Sequence, residues 1–172
     1  LTTTRNVMKN LDCKHTPFSL KIFENATLVG GRTFTIDETE LDRWLDTYEK
    51  GQNTYILLSL LYPNLKLSQV AFHQDHCHPY VGFENKNISS LGLDDEKVKE
   101  WQKKRNLLPN LQFLEGAENE SKNKTPLKDW IAEGNDFEYH PKGVSLELKD
   151  FDTFFTEGRK LIKDELKKIF DL

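Results

Sequence analysis

The sequence predicts an α+β domain, mostly helical, with one small β element. Residues 37–50 and 151–170 place apolar side chains at helical spacing. Residues 53–62 are nearly apolar throughout, which marks a buried helix. Only two short stretches, 67–72 and 110–116, read as strands.

In chain order, residues 1–36 are read as an extended or irregular segment, because LKIFENATLVGGRTFTI alternates polar and apolar residues around Gly30-Gly31. Residues 37–172 form the predicted helical domain. Its first helix carries Leu41, Trp44, Leu45 and Tyr48 on one face, has acids in the first turn, and stops before Gly51. The apolar helix NTYILLSLLY follows, ended by Pro63, and is expected to be buried all round. LSQVAF (67–72) reads as a strand. DDEKVKEWQKKR (94–105) reads as a polar helix with Asp94 as N-cap. NLQFLEG (110–116) is the second strand. A short helix, a break at Pro126 and a helix over Leu127–Ala132 come next. The last helix needs a partner surface for Phe151, Phe154, Phe155, Leu161, Ile162, Leu166, Ile169 and Phe170.

Composition narrows the function. With 172 residues, 37% hydrophobic and 30% charged, the chain has the size and balance of one soluble globular domain. No apolar run approaches the roughly 20 residues of a membrane span. The chain begins at Leu1 with TTTRN and shows no signal-peptide pattern, so the expectation is a piece of a longer, cytoplasmic protein. Two cysteines, Cys13 and Cys77, are too few for a disulfide framework. Asn25, Asn87, Asn119 and Asn123 match the glycosylation acceptor pattern, which an extracellular glycoprotein would use. Net charge is −4, yet residues 97–128 hold eight basic and four acidic side chains, a local excess that suits a phosphate backbone or a solvated helix face.

The chemistry concentrates in FHQDHCHPY (72–80), where three of the five histidines sit with an aspartate and a cysteine. His73, Asp75, His76, Cys77 and His78 lie too close together to share one structural zinc, and no cysteine pair completes such a site. Read alone, the stretch is also a polar turn before Pro79. Downstream, Asn110 opens a strand, and Asn119 follows nine residues later on a turn-to-helix segment.

Asp75-His76-Cys77-His78-Pro79, then Asn110-Leu111-Gln112-Phe113-Leu114, then Asn119-Glu120-Ser121-Lys122 resemble, in order, the motifs of the HNH nucleases, the His-Me finger or ββα-metal group. The resemblance implies a finger core over about 67–125 with a helical insertion over about 80–108. It implies that His76 is the general base and that Asp75 and Asn119 hold one divalent ion, Mg²⁺ or alternatively Mn²⁺. Asn110 would tie the strands together. His73, His78 and Lys122 would be accessory or contact DNA, as would Lys103, Lys104 and Arg105 of the insertion; His73 is an alternative metal ligand. Cys77 is read as packing. A narrower resemblance, over about 54–170, is to the C-terminal nuclease half of GmrSD-type restriction enzymes of bacterial anti-phage defence. It implies DNA as substrate and a nucleotide-dependent sensing domain outside this sequence, since no Gly-rich phosphate loop stands here. The competing expectation is a non-catalytic nucleic-acid- or protein-binding domain on the same scaffold.

Overall fold

The computed structural model describes residues 35–66 and 69–172. Glu38–Leu172 form one compact unit. The extended segment expected over 1–36 falls outside the described residues except for 35 and 36.

The unit is mostly helical around a two-stranded antiparallel sheet. Helix α1 (Glu38–Thr47) buries Leu41 and Leu45, and α2 (Gln52–Leu61) buries Thr54, Leu57, Leu58 and Leu61. The expectation that α2 is buried all round needs correcting: Ile56 is 51% exposed and Leu60 38%. One side of that helix faces outward beside Trp44, Tyr48 and Phe170.

The first strand also differs from expectation. β1 runs Phe72–His76, so the histidine cluster is itself the strand. Upstream, the amides of Gln69 and Val70 donate to the Lys66 carbonyl at 2.8 and 3.0 Å, and residues 67 and 68 of the expected strand lie outside the described residues. β2 (Leu111–Glu115) pairs with β1 in a register that sets Asp75 opposite Gln112 and His76 opposite Leu111. Pairing decides strand extent here more than local propensity does.

Between the strands lie α3 (Asn85–Ile88) and α4 (Asp95–Lys104), flanked by short 3-10 turns. Asp94 caps α4 as expected, its carboxylate accepting the Lys97 amide at 2.8 Å. Directly after β2 comes α5 (Gly116–Lys122), which packs on both strands. α6 (Leu127–Ala132) follows Pro126, and α7 (Phe151–Phe170) closes the unit.

α7 supplies Phe151, Phe154, Phe155, Ile162 and Leu166 to the core. Trp101 of α4 meets Phe151 edge-on with ring centroids 5.3 Å apart, and its indole donates to Asp152 at 3.0 Å. On the outer side, Arg159 reaches Asp42 and Asp46, while Lys163 and Lys167 reach Asp42 and Glu38, which fixes α1 along α7. Among the described residues, no helix is long and apolar enough to cross a membrane.

Candidate active site

Strand alternation decides where each polar residue of β1 goes. Phe72, Gln74 and His76 share one side, and His73 and Asp75 the other. Gln74 fastens the strand to the start of α2, donating to the Gly51 carbonyl at 2.9 Å, with its amide oxygen 2.7 Å from the Thr54 hydroxyl. His76 places its Nε2 3.0 Å from the side-chain oxygen of Asn106. An amide oxygen accepts only, so this contact puts the proton on Nε2 and leaves Nδ1 as the basic nitrogen. Nδ1 has no hydrogen-bond partner among the described residues. Burial pushes the imidazole below its usual value; the Asn106 contact opposes this, and Asp75 opposes Lys50 and Lys122. At neutral pH His76 is therefore an uncharged base.

Asp75 turns toward α5. Its Oδ2 accepts Gln112 Nε2 at 3.1 Å and lies 2.7 Å from the Lys122 ammonium. Lys122 is wholly buried and also donates to the His76 carbonyl at 2.6 Å. Of the two roles expected for Lys122, accessory or DNA contact, its place fits the first: the ammonium is enclosed, held by Asp75 and the β1 backbone. Asn119 lies three residues earlier on α5, hence on the same side of the helix as Lys122 and facing β1. Its side chain is half-buried and has no hydrogen-bond partner among the described residues. His73 remains exposed, its Nε2 against the backbone at Gly116 where α5 begins.

Asn110 bridges the far ends of the strands. Wholly buried, it accepts the His78 amide at 2.9 Å and donates to the carbonyls of His78 at 3.2 Å and Arg105 at 2.9 Å. His78 does not reach the surface, so of its two expected roles, accessory or DNA contact, its place fits the first. It is 2% exposed, edge-on to Phe151 and Phe154, with Nε2 unpartnered. Burial drives its pKa down to about 3. An unfolded chain takes up a proton near pH 6.5 that the folded chain refuses, so stability is complete above pH 6.5 and falls as pH drops toward 3. At pH 5 the loss is about 2 kcal/mol. His78→Phe keeps the ring contacts and should flatten the melting-temperature slope between pH 6.5 and 4; an unchanged slope would exclude His78 as its source.

The cations of the insertion divide. Lys104 is engaged by Glu100 at 2.5 Å and Asp152 at 3.5 Å. Lys103 is exposed. Arg105 lies beside the site: its guanidinium stacks 3.7 Å above the Tyr80 ring and donates to the Tyr80 hydroxyl at 2.6 Å. Tyr80 in turn stands 5.8 Å from the His76 ring and is 47% exposed. Cys77 is buried in the core as a free thiol whose pKa is pushed up by burial.

Asn106, Gln112, Lys50 and Tyr80 were not singled out from the sequence. Gln112 carried a signal, since a polar residue inside an apolar strand needs a buried partner. Asn106 and Lys50 carried none; a cross-strand bridge between Glu49 and Leu107, and the Lys50 amide on the Asn106 carbonyl at 2.7 Å, bring them together.

No protein-family model matches the chain, and no curated protein does either. Among the described residues, no group of three or more His, Cys, Asp and Glu is arranged around a metal position. The free acceptors on β1, β2 and α5 are hard oxygens instead. Asp75 Oδ1 and the Asn119 side chain lack partners among the described residues, and Gln112 Oε1 is buried without a donor. Such a set fits a hard divalent ion completed by water and phosphate oxygens.

Proposed function

We propose that residues 37–172 are a metal-dependent DNA endonuclease domain of the HNH type, the nuclease effector of a bacterial, cytoplasmic restriction or anti-phage defence protein. The observation that carries the reading is His76, held through Nε2 by Asn106 with its neutral Nδ1 open, next to a carboxylate that keeps one oxygen unengaged.

In the proposed reaction His76 Nδ1 takes a proton from water as the water oxygen attacks phosphorus. The phosphorus–3′-oxygen bond breaks, and the leaving 3′-oxygen takes a proton from solvent water, giving a 3′-hydroxyl and a 5′-phosphate. Asp75 and Asn119 would hold the divalent ion, Mg²⁺ or Mn²⁺, which supplies Lewis-acid stabilisation of the charged transition state and of the leaving oxygen. Asn106 keeps the imidazole in the required tautomer. Asn110 locks the strand ends so that His76 keeps its aim. Arg105, ordered on Tyr80, and Lys50 are placed to meet the DNA backbone. The defence context and the sensing domain rest on the motif resemblance alone.

One observation favours the non-catalytic alternative: Asp75 already has a buried lysine partner, as a scaffold residue would. Incubation of supercoiled plasmid with Mg²⁺ separates the two. The nuclease reading expects nicking or linearisation that stops with chelator and falls at least about 100-fold in Asn119→Ala. Wild-type protein that binds DNA without cutting it supports the scaffold.

A further inference from the structure

The charge around Asp75 is unusual for a place meant to capture a divalent ion. Among the described residues that act on His76, Asp75 is the anion, and two cations, Lys50 and Lys122, oppose it. Lys122 is no distant neighbour: its wholly buried ammonium lies 2.7 Å from Asp75 Oδ2. Trp130 backs it, with the ring centroid 5.7 Å from Nζ, and the His76 carbonyl fixes it from the strand. Two such partners and an aromatic wall hold the buried ammonium beside Asp75. Among the described residues, Asp75 and Lys122 cancel in charge, so the pair offers an incoming cation no net negative charge. At effective protein dielectrics, one unit charge a few ångströms away changes a cation's affinity by tenfold or more.

Resting on the nuclease reading above, we infer that Lys122 is a built-in counter-cation of Asp75, and that the site takes up its divalent ion only together with a DNA phosphate. The phosphate supplies the negative charge that the protein withholds. By linkage, the ion tightens DNA binding by the same factor that DNA tightens ion binding. A protein so arranged leaves its catalytic ion in solution until substrate arrives. Lys122 acts here as a positioning residue and touches neither water nor the reacting phosphorus.

The test is Mn²⁺ binding followed by loss of the free-ion electron paramagnetic resonance signal, with DNA alone as background. His76→Ala keeps the charges of Asp75, Lys50 and Lys122 and slows turnover. Without DNA, wild type and His76→Ala are expected to bind Mn²⁺ no tighter than about millimolar, and a short duplex should improve the affinity of His76→Ala at least about tenfold. Lys122→Met, which leaves the Asp75 charge uncompensated, should bind Mn²⁺ without DNA at least about tenfold tighter than wild type. Should Lys122→Met fail to fold, the other two titrations decide alone. Micromolar Mn²⁺ binding by DNA-free wild type, unchanged by DNA, overturns the inference. Plasmid cleavage by the same preparation keeps the failures apart: cleavage with tight DNA-free binding sinks only the counter-cation, whereas no cleavage sinks the nuclease reading beneath it.

Discussion

His76→Ala is expected to lower the single-turnover rate of DNA cleavage by about 10²–10⁴-fold, the usual contribution of a positioned general base. The fold should survive, because the side chain makes one hydrogen bond, to Asn106, whose loss costs about 1 kcal/mol. The wild-type pH profile carries the same claim. The base works when unprotonated, and burial holds its pKa below the ordinary 6.5. Cleavage should therefore remain high at pH 6.5 and fall only below it, along a limb absent from His76→Ala. A limb centred above pH 7 would mean that another group, or a protonated histidine, controls the rate. Asn106→Ala is a milder version of the same lesion: it frees Nε2, lets the tautomer exchange, and leaves less of the imidazole correctly protonated.

Asn110→Ala is expected to be the most destabilising single change near the site. It removes three side-chain hydrogen bonds and strands the buried His78 amide and the carbonyls of His78 and Arg105. Each such group costs about 1–3 kcal/mol when left unmet, so the total should be about 3–5 kcal/mol after partial relaxation. Urea unfolding should show a lower midpoint with an unchanged slope. Asn110→Asp offers no rescue: it keeps an acceptor for the His78 amide but sets a carboxylate against two carbonyl oxygens. A loss below about 1 kcal/mol would show that the strand ends are held by the β1–β2 ladder instead.

Helices were legible in the sequence where periodicity ran long. Phe151–Phe170 and Asp95–Lys104 stand where their apolar spacing and the Asp94 cap put them. β1 was legible only in part: a strand leading into the histidine cluster was expected, but its extent over Phe72–His76 is set by pairing with Leu111–Glu115 some forty residues later, a non-local event. In the site, chain order marked Asp75, His76, Asn110 and Asn119 for attention. It could not show that Lys122 and His78 point inward. Whether a lysine meets solvent or a buried carboxylate depends on which face of a seven-residue helix the strands cover. Lys50 and Asn106 lie far apart in sequence and join only through the bridge between Glu49 and Leu107. Lys104 looked like its neighbour Lys103 until the fold brought Asp152 beside it.

The central claim is that water activated by His76 attacks phosphorus and expels the 3′-oxygen. Single-turnover cleavage of a duplex oligonucleotide in ¹⁸O-water, with Mg²⁺ present, tests it most directly by mass spectrometry of the products. The expected result is one ¹⁸O atom in the new 5′-phosphate and an unlabelled 3′-hydroxyl. Label in a 3′-phosphate, product without label, or an intact duplex would contradict it.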